Sequence, residues 1–223
     1  MTEHNRVLRI RDICRSNLLM FTRRAFSLLP ARTDPRIMDI GCGSGVATIE
    51  LAQLSGGLIE AIDIDAVALD EFRRRAAEYN LEHRINISQI SMSAVDFSAE
   101  SFDLIWSEGS IAVIGFKTGL EKWRGYLKKD GCLVVHDSIS DLSVKEKQIE
   151  DCGFTKLGQL SISHEIWWNQ YFGPLQRHLD TLGEIESLTA DEISEMESAR
   201  REIEGFDYSD DNYASVFFIL QKS

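Results

Sequence analysis

Residues 36–52 read RIMDIGCGSGVATIELA. An apolar run leads into three glycines at alternate positions, Gly41, Gly43 and Gly45, and Asp39 stands two residues before the first. A helix-like pattern follows. A strand that enters a helix through glycines turns sharply and brings bare backbone amides close to a ligand. The dinucleotide fingerprint GxGxxG has this form, but Val46 occupies the place of its third glycine.

Outward from that turn, strand and helix patterns alternate. Short apolar runs at 36–41, 58–63, 85–91, 102–108 and 131–138 read as strands covered on both faces. Helical spacing is predicted over 44–54, 65–80, 116–129 and 143–152. The last opens with Ser143 and Glu146 at capping-box spacing, and Gly153 follows as a stop. The first thirty residues read as helix, with Leu18, Leu19, Phe21, Ala25, Phe26, Leu28 and Leu29 on a broad apolar face ended by Pro30. This alternation predicts an α/β fold. The expected sheet is doubly wound, Rossmann-like and mostly parallel, with an antiparallel edge strand.

The chain reads as a single domain in four parts. Residues 1–30 form an N-terminal helical lid and 31–162 a core. Residues 163–212 form a helical insertion, and 213–223 are expected as the final edge strand. The insertion carries a second capping box, Thr189 with Glu192. It starts with the aromatic cluster Trp167, Trp168, Tyr171 and Phe172, and a loop of that length inside a compact domain is often functional.

Composition narrows the function classes. The 223-residue chain has a formal net charge of −12, so it lacks the basic footprint that nucleic acid demands. Twelve of its acidic residues fall between Asp180 and Asn212, a pattern that suits a solvated helical face. No apolar run has the ~20 residues of a membrane span, and no signal peptide is read at the start. Four scattered cysteines contain no CxxC pair, which argues against a metal site and for reduced thiols in a cytoplasmic protein.

Three features define the ligand of the glycine turn. Asp39 suits a cationic amine, where a pyrophosphate would exclude a carboxylate. Asp63, ending the second strand, stands where a carboxylate accepts hydrogen bonds from ribose hydroxyls. No lysine or arginine lies in the turn. A cationic nucleoside satisfies all three.

The blocks MDIGCGSG, IEAIDID, SFDLIWSEGSI and LKKDGCLVV resemble the class I S-adenosylmethionine-dependent methyltransferases. The nearest likeness is to the small-molecule branch that includes the ubiquinone and menaquinone methyltransferases. The resemblance implies S-adenosylmethionine as cofactor and S-adenosylhomocysteine as product. It implies that Asp39, Gly41, Gly43 and Gly45 lie along the methionine and ribose, that Asp63 binds the ribose diol, and that Ile64 packs on the adenine. Ser107 would lie beside the methionine moiety. Ser91 and Met92 fall at the adenine edge, where the family often has an aspartate; here that acid is missing.

Methyl transfer needs positioned reactants and sometimes a base. Glu108, ending the fourth strand, is the leading candidate: it can accept a proton or hold a cationic group, or it can merely cap the next helix. His136 is the second candidate, with a structural role at a strand end as its alternative. Trp106, Trp167, Trp168 and Tyr171 are expected to face the acceptor, divided between pocket and core. No NPPY-like tetrapeptide follows the fourth strand, which argues against amino-methylation of nucleobases or glutamine. The reading is a methyltransferase of a small molecule, without nucleic-acid or membrane partner and with a homodimer possible. Its rival is a cofactor-binding regulatory or partner protein without catalysis, which would have a filled acceptor pocket.

Overall fold

A computed structural model describes residues 5–185, 188–210 and 213–223. Positions 186–187 and 211–212 of the expected insertion lie outside the described residues. The chain order is α1 (Arg6–Ser16), α2 (Leu19–Ser27), β1 (Arg36–Ile40), α3 (Val46–Ser55), β2 (Leu58–Asp63), α4 (Ala66–Glu78), β3 (Ile85–Gln89) and β4 (Phe102–Glu108). Then come α5 (Phe116–Tyr126), β5 (Leu127–Ser138), α6 (Leu142–Asp151), β6 (Phe154–Ile162), α7 (His164–Trp167), a π-helical turn (Trp168–Phe172), α8 (Gly173–Ile185), α9 (Ala190–Glu204) and β7 (Ser215–Lys222).

Seven strands form one sheet in the order β3-β2-β1-β4-β5-β7-β6. The pairings from β3 to β5 are parallel. The final strand β7 runs antiparallel between β5 and β6. The expected edge strand 213–223 is therefore one place in from the rim, and β6 is the rim. The reason lies in composition: β7 is SVFFILQK, buried along its first six residues, and such a strand needs partners on both sides.

Side chains alternate across a strand, so register decides which residues share a face. Asp39 pairs with Trp106 and Trp106 with Val134. One row further along, Glu108 pairs with His136 and His136 with Phe217. These rows project onto the face covered by α2, α3 and α4, where Ala25, Leu51, Phe72, Trp106 and Phe217 are buried together. The opposite face packs Ile40, Ile105, Val135 and Phe218 with Leu120 and Trp123 of α5 and Ile149 of α6. Burying a large side chain of this kind contributes about 1.5–3 kcal/mol.

A third cluster joins α1 to the insertion through Val7, Cys14, Tyr171, Leu175, Leu179, Ala199 and Ile203. The expected capping box at Thr189 and Glu192 is present. Glu192 also takes Arg6 in an ion pair at 2.7 Å, whose hydrogen bonds pull its pKa down to about 2. The N-terminal helix differs from the single one read in the sequence. It breaks after Ser16, and α2 resumes at Leu19, because α1 packs on the insertion while α2 packs on α3 and the sheet. The expected box at Ser143 is absent too. The N-cap of α6 is Asp141, in a left-handed conformation and without a side-chain cap.

Candidate functional site

The glycine turn follows β1 directly. Gly41, Gly43 and Gly45 all have positive φ, at 77°, 52° and 77°, which side chains other than glycine's rarely adopt. Two of them also have no room: a Cβ on Gly41 would lie 2.4 Å from Ser110 Cβ, and one on Gly45 would lie 2.1 Å from the Phe72 ring. Gly43 is different, since a Cβ there would meet nothing within 4 Å. Its backbone faces open space, as a ligand cradle requires.

The turn is held from several sides. Asp63 accepts the Gly43 amide on Oδ2 at 2.7 Å, and the amides of Ile64 and Asp65 on Oδ1 at 2.7 and 3.0 Å. The ribose acid of the sequence reading thus also organises the loop. Ile64 is 69% exposed, free to pack against a ligand. Ser107 is buried and pairs with Ser110 Oγ at 2.7 Å, and Ser110 donates to the Ile40 carbonyl. Met92 reaches to 3.8 Å from the Cβ position of Gly41. Ser91 Oγ lies 2.8 Å from Ser93 Oγ. Lys122 donates to the carbonyls of Met92 and Ser93 and fixes that turn.

Asp39 is 2% exposed, and among the described residues its carboxylate has one hydrogen bond, from Thr48 Oγ1 at 2.5 Å. No cation pairs with it among the described residues. Burial is the main cause that pushes its carboxyl up to about 7, and the negative charges of Glu108 and Asp63 add to the shift. A ligand cation would relieve both.

Glu108 does not cap the helix that follows. Its Oε1 accepts the Trp106 indole N–H at 2.8 Å and the Thr22 hydroxyl at 2.9 Å. Its Oε2 has no hydrogen-bond partner among the described residues. Burial raises the pKa, against the lowering effect of those two donors and of Arg15. Trp106 itself is fully buried against Phe217. It therefore lies in the core behind Glu108 and does not face an acceptor as expected from the sequence.

His136 is also placed differently from a base. Its ring stacks on Phe217 at 4.3 Å and on Trp167 at 6.0 Å between centroids. Its Nε2 lies 2.7 Å from Ser215 Oγ, which accepts the Trp167 indole N–H at 2.8 Å. Burial, assisted by the charge of Arg15, pushes its pKa down to about 3. Stacked on Phe217 and bonded to Ser215, the ring is placed as a structural histidine at a strand end would be.

The aromatic cluster divides. Trp167 reaches the carboxyl end of β5 through His136. Trp168 turns away to Phe206 and Tyr208, and core packing accounts for it. Tyr171 is buried, its ring set edge-on to Trp167 at 5.7 Å and its hydroxyl facing Arg11. A π-helical turn at 168–172 produces this arrangement, and such turns recur at functional sites.

Among the residues that escaped the sequence reading are Asp12, Arg15, Thr22 and Ser215. Asp12 is buried on α1, accepting Ser44 Oγ of the glycine turn at 2.6 Å and Arg75 at 2.5 Å. A polar residue on the apolar face of a helix was the available signal for Asp12 and Thr22. The other two carried none.

The glycine turn after β1, the acid ending β2 and the ends of β4 and β5 lie together at the carboxyl edge of the parallel strands. Residues 37–131 match the model of a family described as "Methyltransferase domain". The dimethylglycine N-methyltransferase of Parasynechococcus marenigrum (strain WH8102) is 33% identical over 105 residues, which are 47% of this chain and 38% of that protein. The chain thus spans less than half the length of this curated relative. Among solved structures, a putative sarcosine dimethylglycine methyltransferase from Galdieria sulphuraria has a TM-score of 0.69 at 16% identity, with 97% of this chain and 86% of that chain covered. The [4+2]-cyclase SpnF has a TM-score of 0.70 at 16% identity, with coverage of 91% and 80%. These two likenesses establish the fold; the second shows that the fold alone does not name a reaction.

Proposed function

We propose that the protein is an S-adenosylmethionine-dependent methyltransferase acting on a small-molecule acceptor. The observation that carries this reading is Asp39: a buried carboxylate without a cation, beside a glycine turn whose Gly43 faces open space. The residues fit a cationic nucleoside. Asp39 answers its ammonium group, Gly41 and Gly43 let it lie on the backbone, Asp63 stands at the ribose, and Ile64 with Met92 and Ser91 border the adenine. S-adenosylmethionine supplies the methyl group together with its leaving group.

The chain's own work is binding, orientation and proton handling. Trp106 and Thr22 hold one oxygen of Glu108 and leave the other to the acceptor. A carboxylate so placed orients a nucleophile or accepts its proton, worth ~10²–10⁴-fold in rate. A catalytically inactive partner protein would have that position filled; the unpartnered Oε2 favours an enzyme. Quinone precursors, as in the ubiquinone and menaquinone branch, are one class of small acceptor. The carboxylate at the site favours a polar one.

Titration calorimetry tests the cofactor. S-adenosylhomocysteine should bind and NAD should not; the reverse pattern sinks the reading. Once an acceptor is in hand, Glu108→Gln should lower turnover and leave S-adenosylhomocysteine affinity nearly unchanged.

A further inference from the structure

One nitrogen of His136 is spent on structure and the other is not. Ser215 Oγ is buried and takes the Trp167 indole N–H. Its own proton then has one acceptor within reach among the described residues, Nε2 of His136 at 2.7 Å. If Nε2 carried a proton instead, the buried Ser215 hydroxyl would have nowhere to donate, a cost that folded proteins avoid. The relay from Trp167 through Ser215 to His136 thus fixes the tautomer with its proton on Nδ1. Burial, which pushes the pKa of the ring down to about 3, keeps it neutral. Phe217 and Trp167 cover the ring faces, so the ring meets a ligand by its edge. Nδ1 makes no hydrogen bond among the described residues. Nor does Oε2 of Glu108, the strand neighbour of His136. The buried side-chain nitrogens and oxygens left without a partner there are Arg11 Nε and Trp123 Nε1, so Nδ1 and Oε2 both reach accessible space. They project from one sheet face, on strands about 4.8 Å apart.

We propose that His136 is the hydrogen-bond donor of the acceptor site and that, with Oε2 of Glu108, it selects a hydroxyl group of phenol or enol type over an amine. This deepens the methyltransferase reading and rests on it. A hydroxyl oxygen has two lone pairs and one proton. It gives the proton to Oε2, accepts Nδ1–H on one lone pair and keeps the other for the methyl group. An amine nitrogen has a single lone pair, and the donor at Nδ1 competes for the pair that must attack. An ammonium group has none and meets N–H with N–H. In the reaction the O–H bond breaks and its proton passes to Glu108. The oxygen lone pair forms the O–C bond while the S–C bond breaks, its electron pair staying on sulfur. The sulfonium becomes a neutral thioether, and the proton on Glu108 passes to water. Phenols and enols suit a carboxylate base because the charge left on their oxygen is delocalised, and Nδ1–H stabilises what remains there. Ser215 is the positioning residue, acting through the tautomer of His136.

The test uses the full chain and has two arms. Nitrogen NMR first reads the imidazole tautomers, with the His136 signals assigned by their loss in His136→Asn. Nδ1 should carry the proton, Nε2 should not, and neither should titrate between about pH 5 and pH 8. Ser215→Ala, which removes the donor to Nε2, should shift the proton toward Nε2. A wild-type ring protonated on Nε2 overturns the proposal, because Nδ1 would then be an acceptor and would favour an amine. The second arm is calorimetric. S-adenosylhomocysteine is titrated first; its failure to bind overturns the methyltransferase reading itself. With that nucleoside saturating, phenols, catechols and enolic diketones are titrated, each phenol beside its matching aniline. At least one phenol should bind at least ~10-fold more tightly than its aniline. His136→Phe should erase that preference, and His136→Asn, which restores an N–H donor near the place of Nδ1, should keep part of it. Both variants should hold S-adenosylhomocysteine within about twofold of wild type, a control that also reports folding. With S-adenosylmethionine, an aminophenol should receive its methyl group on oxygen. A methyl group on nitrogen, an aniline bound as tightly as its phenol, or a panel in which no hydroxyl compound binds overturns the proposal and leaves the methyltransferase reading standing.

Discussion

Asp39→Asn should abolish a pH dependence of stability in the unliganded protein. Burial holds the Asp39 carboxyl up at about 7 in the fold, against 3.8 in the free side chain. A raised folded pKa means that the native state binds the proton more tightly than the unfolded chain. The contribution is therefore full below the unfolded value and is lost as pH rises through about 7. Between about pH 5 and pH 8 the loss spans two pH units at about 1.4 kcal/mol each, or about 2–3 kcal/mol. Asparagine does not titrate and retains an oxygen for the Thr48 hydroxyl. Urea unfolding of both proteins at the two pH values reads the difference. The variant should gain about 2–3 kcal/mol on the wild type in passing to the higher pH. Parallel profiles would refute the argument, for they would mean that Asp39 ionises in the fold as it does in water. Saturating S-adenosylmethionine should narrow the gap at about pH 8, because its ammonium group compensates the charge that the empty fold cannot.

Gly45→Ala should cost about 2–4 kcal/mol in denaturant unfolding, since it combines a left-handed backbone with a Cβ placed against the Phe72 ring; a cost under about 1 kcal/mol would show that α4 yields. Thr22→Val removes one of the two donors that hold the Glu108 pKa down, so the acid limb of the turnover profile should move to higher pH. A limb that stays in place while cofactor affinity falls would assign Thr22 to packing alone.

The sheet was legible because its signals are local. The strand runs, the glycines of the turn and the box at Thr189 each act within a few residues, where spacing fixes conformation. Asp39, Gly41, Gly43, Gly45 and Asp63 were legible for the same reason: each belongs to a strand end that the period of two and the turn chemistry locate. What spacing does not contain is the choice of partner across the chain. The Thr22 hydroxyl finds Glu108 eighty-six residues away, and Ser215 finds His136 seventy-nine residues away. His136 reads as a base in sequence because an imidazole's ordinary pKa lies near neutrality; stacked between Phe217 and Trp167 it loses the water that would stabilise its charge. Trp106 reads as a pocket residue until register turns it into the core. The sequence by itself determined the alternation of strands and helices and the glycine turn after the first strand. Only the tertiary structure decided which carboxylates keep a free oxygen and which ring is desolvated. Burial and long-range pairing set those energies, and neither exists before the chain has folded.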